Sequence, residues 1–70
     1  MNKQYYISFE DKNLGKRLFL GEIETAWYSD FQSAKAFSKP ELKRSFSAIR
    51  RQYKDKKLHI IKINIKEEKL

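Results

Sequence analysis

The chain contains no cysteine. No disulfide can staple it and no zinc–thiolate site can form, so the fold must be held by packing alone. The same absence fits a reducing compartment. Glycine occurs only at Gly15 and Gly21 and proline only at Pro40. Two isolated glycines exclude a glycine-rich phosphate loop. No apolar run approaches the length of a membrane span, and the opening MNKQYYISFE lacks the apolar core of a signal peptide. A soluble, intracellular protein without a membrane partner is expected. The single histidine, His59, has neither cysteine nor a placed carboxylate beside it, which leaves it poor material for a metal site or a general base. The adjacent acids Glu10–Asp11 and Glu67–Glu68 fall in a turn and a tail, where no element would hold two carboxylates at a fixed separation. No enzyme chemistry, cofactor or metal is expected from this inventory.

Seventy residues make one domain, 1–70, with no internal repeat, low-complexity tract or linker. A chain this short buries only about 60% of its unfolded surface. Five Phe, four Tyr, one Trp and a run of Ile must therefore supply the core. Homodimerisation is a second route to buried area.

Charge is unevenly placed. Residues 35–57 hold nine basic side chains against two acids, Glu41 and Asp55, a net of +7 that equals the formal charge of the whole chain. The remaining seven basic and seven acidic residues cancel. A balanced body carrying one focused positive element points to a polyanion or an acidic protein face as partner.

Residues 4–9 alternate, with Tyr5, Ile7 and Phe9 on one side and Tyr6 and Ser8 on the other, as a strand does. Residues 10–15 collect turn formers, and residues 16–20 read as the return strand, with Leu18 and Leu20 opposite Arg17 and Phe19. Gly21 interrupts it as a bulge or turn. Residues 23–28 alternate again and are expected to form a third strand. Ser29 or Asp30 could cap a short helix through Phe37, carrying Phe31, Ala34 and Phe37 at spacings of three. Ser38-Lys39-Pro40-Glu41 is a capping box with proline in the first turn, so a long helix should run from Ser38 to about Tyr53 or Lys54. Its apolar stripe is Leu42, Phe46, Ile49 and Tyr53. Residues 58–65 form the last expected strand, with Ile61, Ile63 and Ile65 toward the helix and Lys62 and Asn64 away from it. The fold class is then α+β: a three- to four-stranded, mostly antiparallel sheet in the order β-β-(β)-α-α-β, with one long basic helix packed on one face. The other face should be open to solvent or to a partner.

Two surfaces follow as candidates. With Leu42 at the origin of a helical wheel, Lys39, Arg50, Lys43, Lys54, Arg51 and Arg44 lie between roughly 60° and 200°. Glu41, Ser45, Ala48 and Gln52 take the opposite flank. Solvated helices more often intersperse Glu with Lys at i, i+4 than this one does. The six cations are therefore the expected contact to nucleic acid or to an acidic partner, Arg through bidentate contacts and Lys through less directional charge. Ser45 and Ser47 could add hydroxyl donors. The secondary candidate is the open sheet face, where Tyr6, Phe19 and Lys62 would interleave aromatics with charge as single-strand binders do. Trp27 and Tyr28 are expected to close the end of the core.

The aromatic opening strand (Tyr5, Tyr6, Ile7), a hairpin return with Gly21, and Trp27-Tyr28-Ser29 leading into Ala34-Lys35-Ala36-Phe37 resemble small uncharacterised proteins common in phages of Gram-positive bacteria. That resemblance implies a protein of the host cytoplasm that binds a host protein or a nucleic acid, anti-CRISPR-like inhibitors being one such class. Tyr6, Phe9, Asp11, Gly15, Lys16 and Arg17 also resemble the three-stranded arm-binding domains of phage and transposon integrases. The strong strand at residues 58–65 departs from that second pattern. The leading expectation is a non-catalytic nucleic-acid-binding protein that contacts phosphates through the basic helix. Its rival is a protein-interaction module docking on an acidic surface.

Overall fold

A computed structural model describes residues 3–23, 25–30 and 32–63. Among the described residues, four strands and one helix follow the order β1 (Tyr5–Asp11), β2 (Lys16–Leu20), β3 (Trp27–Tyr28), α1 (Lys39–Gln52) and β4 (His59–Lys62). The strands form one antiparallel sheet with spatial order β3-β2-β1-β4. The class is α+β.

The β1–β2 hairpin forms where the turn residues cluster. Asp11 Oδ1 accepts from the amides of Asn13 at 2.9 Å and Leu14 at 3.2 Å, the side-chain-to-backbone closure that makes Asp a turn residue. Gly15 takes φ +64°, a conformation other residues adopt only with strain. The register places Glu10 opposite Arg17, and the two form an ion pair at 2.9 Å.

The helix begins as its capping box dictates. The Glu41 amide donates to Ser38 Oγ at 3.3 Å, and the Ser38 amide donates to Glu41 Oε1 at 3.2 Å. Leu42 and Ile49 bury the centre of the stripe against Ile7, Leu20 and Phe37, with Tyr5, Trp27, Phe46, Tyr53 and Leu58 around them. Trp27 does close one end of this core, edge-on to both Phe9 (4.7 Å between centroids) and Tyr53 (5.1 Å).

Several expectations are corrected. No helix forms among the described residues between Ser29 and Phe37. Asp30 instead caps a turn, accepting from the Ser33 amide at 2.8 Å. The chain beyond it runs extended, pairing Ala34 with Gly21 and Phe37 with Tyr5. Phe31, on which the helical spacing partly rested, lies outside the described residues. Apolar spacing of three fits one helical face, but sheet pairing satisfies the backbone of these residues and still buries Phe37 completely. The third strand shrinks to Trp27–Tyr28, because the Ile23 carbonyl accepts from the amides of Thr25 and Ala26 in a tight turn, leaving Ile23 exposed.

The last strand also differs from expectation. Its register sets Ile60 opposite Ile7 and Lys62 opposite Tyr5, and Ile61 opposite Tyr6. Ile60 and Lys62 therefore share the helix-side face, while Ile61 lies on the other; Phe46 and Ile49 do not pack on Ile61 and Ile63. Alternation establishes which residues share a side but not which side faces the helix, so one step of register reverses the assignment. Asn64 and Ile65 lie outside the described residues. The sheet face away from the helix is also less open than expected, since Ser8 and Phe19, paired across β1 and β2, are buried.

Candidate nucleic-acid interface

Five of the six predicted cations lie on α1; Lys54 falls in the turn past the Tyr53 cap, because the helix ends before it. Lys39, Lys43, Arg44, Arg50, Arg51 and Lys54 are all exposed, and among the described residues none of the six enters an ion pair. The only acid in the helix, Glu41, is occupied by its cap and by Lys3, whose Nζ lies 3.5 Å away. Accepting hydrogen bonds from Ser38, with Lys3 beside it, holds the Glu41 carboxyl below its ordinary value of 4.5. It therefore stays ionised while attending to the helix start rather than to the basic band.

Helix stability accounts for only part of this charge. Arg50 and Arg51 sit in the last turn, where the helix dipole favours cations whether or not anything binds. Lys39 occupies the first helical position, where the same dipole opposes it. From Lys39 to Arg51 the band runs roughly 18 Å along the helix axis, at 1.5 Å per residue.

Its C-terminal half opens into a groove of about 680 Å³. The helix ends at Tyr53, whose amide still donates to the Ile49 carbonyl at 3.0 Å. The Lys56 amide then donates to the Tyr53 carbonyl at 3.1 Å, turning the chain back toward β4. This turn sets Lys56, Lys57 and Leu58 opposite Phe46, Ser47, Arg50, Arg51, Tyr53 and Lys54. Among the described residues no carboxylate lines the groove. Lys56 is committed inward, with Nζ 4.6 Å above the Phe9 ring and 3.7 Å from the Asp55 carboxylate. Arg50, Arg51, Lys54 and Lys57 are the exposed cations at the rim.

The structure thus brings Arg50, Arg51 and Lys54 together around the groove and leaves Lys39, Lys43 and Arg44 on the N-terminal part of the helix, away from it. The secondary surface does not assemble. Tyr6 is half-buried, Phe19 is buried, and Lys62 belongs by register to the opposite face, with Nζ 5.9 Å over the Tyr5 ring. Sequence reasoning did not include Phe46, Tyr53 and Lys57 in the site. Phe46, Arg50 and Tyr53 stand at i, i+4 and i+7, a spacing that places them on one helix face up to the cap at Tyr53, and that is the signal that could have found Phe46 and Tyr53; Lys57, on the turn beyond the helix, had none.

Among the described residues no group of three or more His, Asp or Glu could hold a metal ion, and no helix is long and apolar enough to cross a membrane. No protein-family model matches the chain, and no match is found among curated proteins or solved structures.

Proposed function

We propose that the protein binds nucleic acid without catalysis, through phosphate contacts from the exposed face of α1 and the turn that follows it. The observation that carries this reading is the band of six exposed cations that lack carboxylate partners among the described residues. Long cationic side chains left unpaired along one face release condensed counterions when they meet a polyphosphate, and that release drives binding. Lys39 strengthens the reading, because the helix dipole works against a cation at its position.

The test is fluorescence anisotropy with labelled duplex and single-stranded oligonucleotides over a salt series. Binding should be measurable at about 50 mM salt and weaken steeply as salt rises. Replacing Arg50 and Lys54 with Gln should lower the slope of log K against log salt by about one unit for each cation removed, across all sequences. Both side chains are exposed, so the double variant should melt close to wild type. Absence of binding by the wild type at about 50 mM salt would overturn the reading and leave an acidic protein face as the partner these cations fit.

A further inference from the structure

We propose that the groove at the C-terminal end of α1 receives an unpaired base of a single-stranded nucleic acid, with Phe46 as its stacking surface and the flanking phosphates held by Arg50, Lys54 and Lys57. This rests on the nucleic-acid reading and narrows it to a strand type and a contact.

Phe46 carries the inference. Leu42 and Ile49, on the same stripe, are 7% and 2% exposed, yet Phe46 between them is only half-buried and lines the groove. It has no ring partner among the described residues, unlike Trp27 and Tyr53, which hold each other edge-on. A partly uncovered phenyl ring in the lining of a cationic groove, packed at its other side on the core, is the kind of aromatic surface on which a planar ligand can stack. The volume, about 680 Å³, lies within the range of sites that enclose small planar ligands.

Charge selects the kind of ligand. Arg50 stands in the last turn of α1, while Lys54 and Lys57 lie on the turn that follows it, so positive groups line the groove from the helix and from the returning chain. A base with a phosphate on either side matches that order of aromatic between cations. A base inside a duplex has both faces covered by its neighbours, whereas an unpaired base can be splayed out and stacked. Stacking of this kind tolerates any base, so the groove should discriminate strand state rather than sequence.

The experiment compares four ligands of about 12 nucleotides by anisotropy: single-stranded DNA, single-stranded RNA, the DNA as duplex, and a DNA backbone carrying abasic sites. Phe46→Leu keeps an aliphatic cover on the core and removes the π-face. It should bind both single strands about 5-fold or more weakly than wild type, with an unchanged salt slope and unchanged affinity for the duplex and the abasic strand. Wild type should bind the abasic strand as weakly as Phe46→Leu binds the intact one. A preference between DNA and RNA would support the groove and name the strand it takes. Equal wild-type affinity for intact and abasic strands would overturn the proposal, as would a Phe46→Leu protein that binds every ligand like wild type. The phosphate reading survives either result if Arg50→Gln with Lys54→Gln still lowers the salt slope. Absence of wild-type binding to all four ligands at about 50 mM salt would overturn both. Should Phe46→Leu fail to fold, the intact-against-abasic comparison on wild type decides alone.

Discussion

Phe37 offers the sharpest check on the architecture, because sequence periodicity places it on a short helix and the structure places it in an extended segment beside Tyr5. Its side chain is 0% exposed and belongs to the central cluster with Ile7, Leu20, Leu42 and Ile49. Its backbone exchanges hydrogen bonds with Tyr5, amide to carbonyl at 2.7 and 3.0 Å, and these survive a change of side chain. The loss on substitution is therefore that of the ring and the space it leaves. Deleting a fully buried Phe to Ala costs roughly 3–5 kcal/mol. A chain of this size holds only about 3.5–10 kcal/mol in total, so Phe37→Ala should lose roughly a third of its stability or more and melt far below wild type. Phe37→Leu keeps an apolar branched side chain and should cost roughly 1–2 kcal/mol, lowering Tm by roughly 5–15 °C in a domain of this length. Phe46→Leu, at a half-buried position, should cost less. Circular dichroism melts of both leucine variants give the comparison directly. A Phe37→Leu protein that melts like wild type, or one more stable than Phe46→Leu, would refute the burial of Phe37 in the central cluster.

Ser38→Ala should cost about 1 kcal/mol, because the Glu41 amide loses its acceptor. The same change should flatten the acid limb of stability. The Glu41 carboxyl is held below 4.5 in the folded state, so its contribution is fully present above that value and is lost as pH falls through the lower folded value; urea midpoints at pH 7 and across pH 5 to 3 should show the wild type losing the larger share. Gly21→Ala should destabilise by roughly 1–3 kcal/mol, since an added Cβ would run into the Tyr28 ring and approach the Ala26 carbonyl oxygen to 3.2 Å. Combining it with Tyr28→Ala should cost less than the sum of the two single changes in a double-mutant melt series.

The basic groove shows why a candidate site is harder to read than an element. The wheel positions of Arg50 and Arg51 were legible because a helix repeats every 3.6 residues and carries its own coordinate system, whereas that of Lys54 was not, since the helix stops at Tyr53. Phe46 and Tyr53 were legible as apolar residues of the stripe, and on periodicity alone they belong to the core. Their partial exposure depends on where the turn after Tyr53 sets Lys57 and Leu58, which lies beyond the reach of any local repeat.

By itself the sequence determined the features whose causes are local. The capping box at Ser38 and Glu41 sets the start of α1, Asp11 and Gly15 close the hairpin, and the one-sided distribution of charge follows from composition and helical phase. Only the tertiary structure decided which face of β4 meets the helix, that residues 34–37 pair with the sheet instead of coiling, and that Phe19 is buried while Phe46 is only half-buried. Those outcomes turn on register and on long-range backbone pairing. A strand pattern with apolar residues at both Ile60 and Ile61 supports either facing, and Phe37 can be buried from a helix or from an extended segment, so the choice falls to whichever arrangement satisfies the most backbone groups around one core.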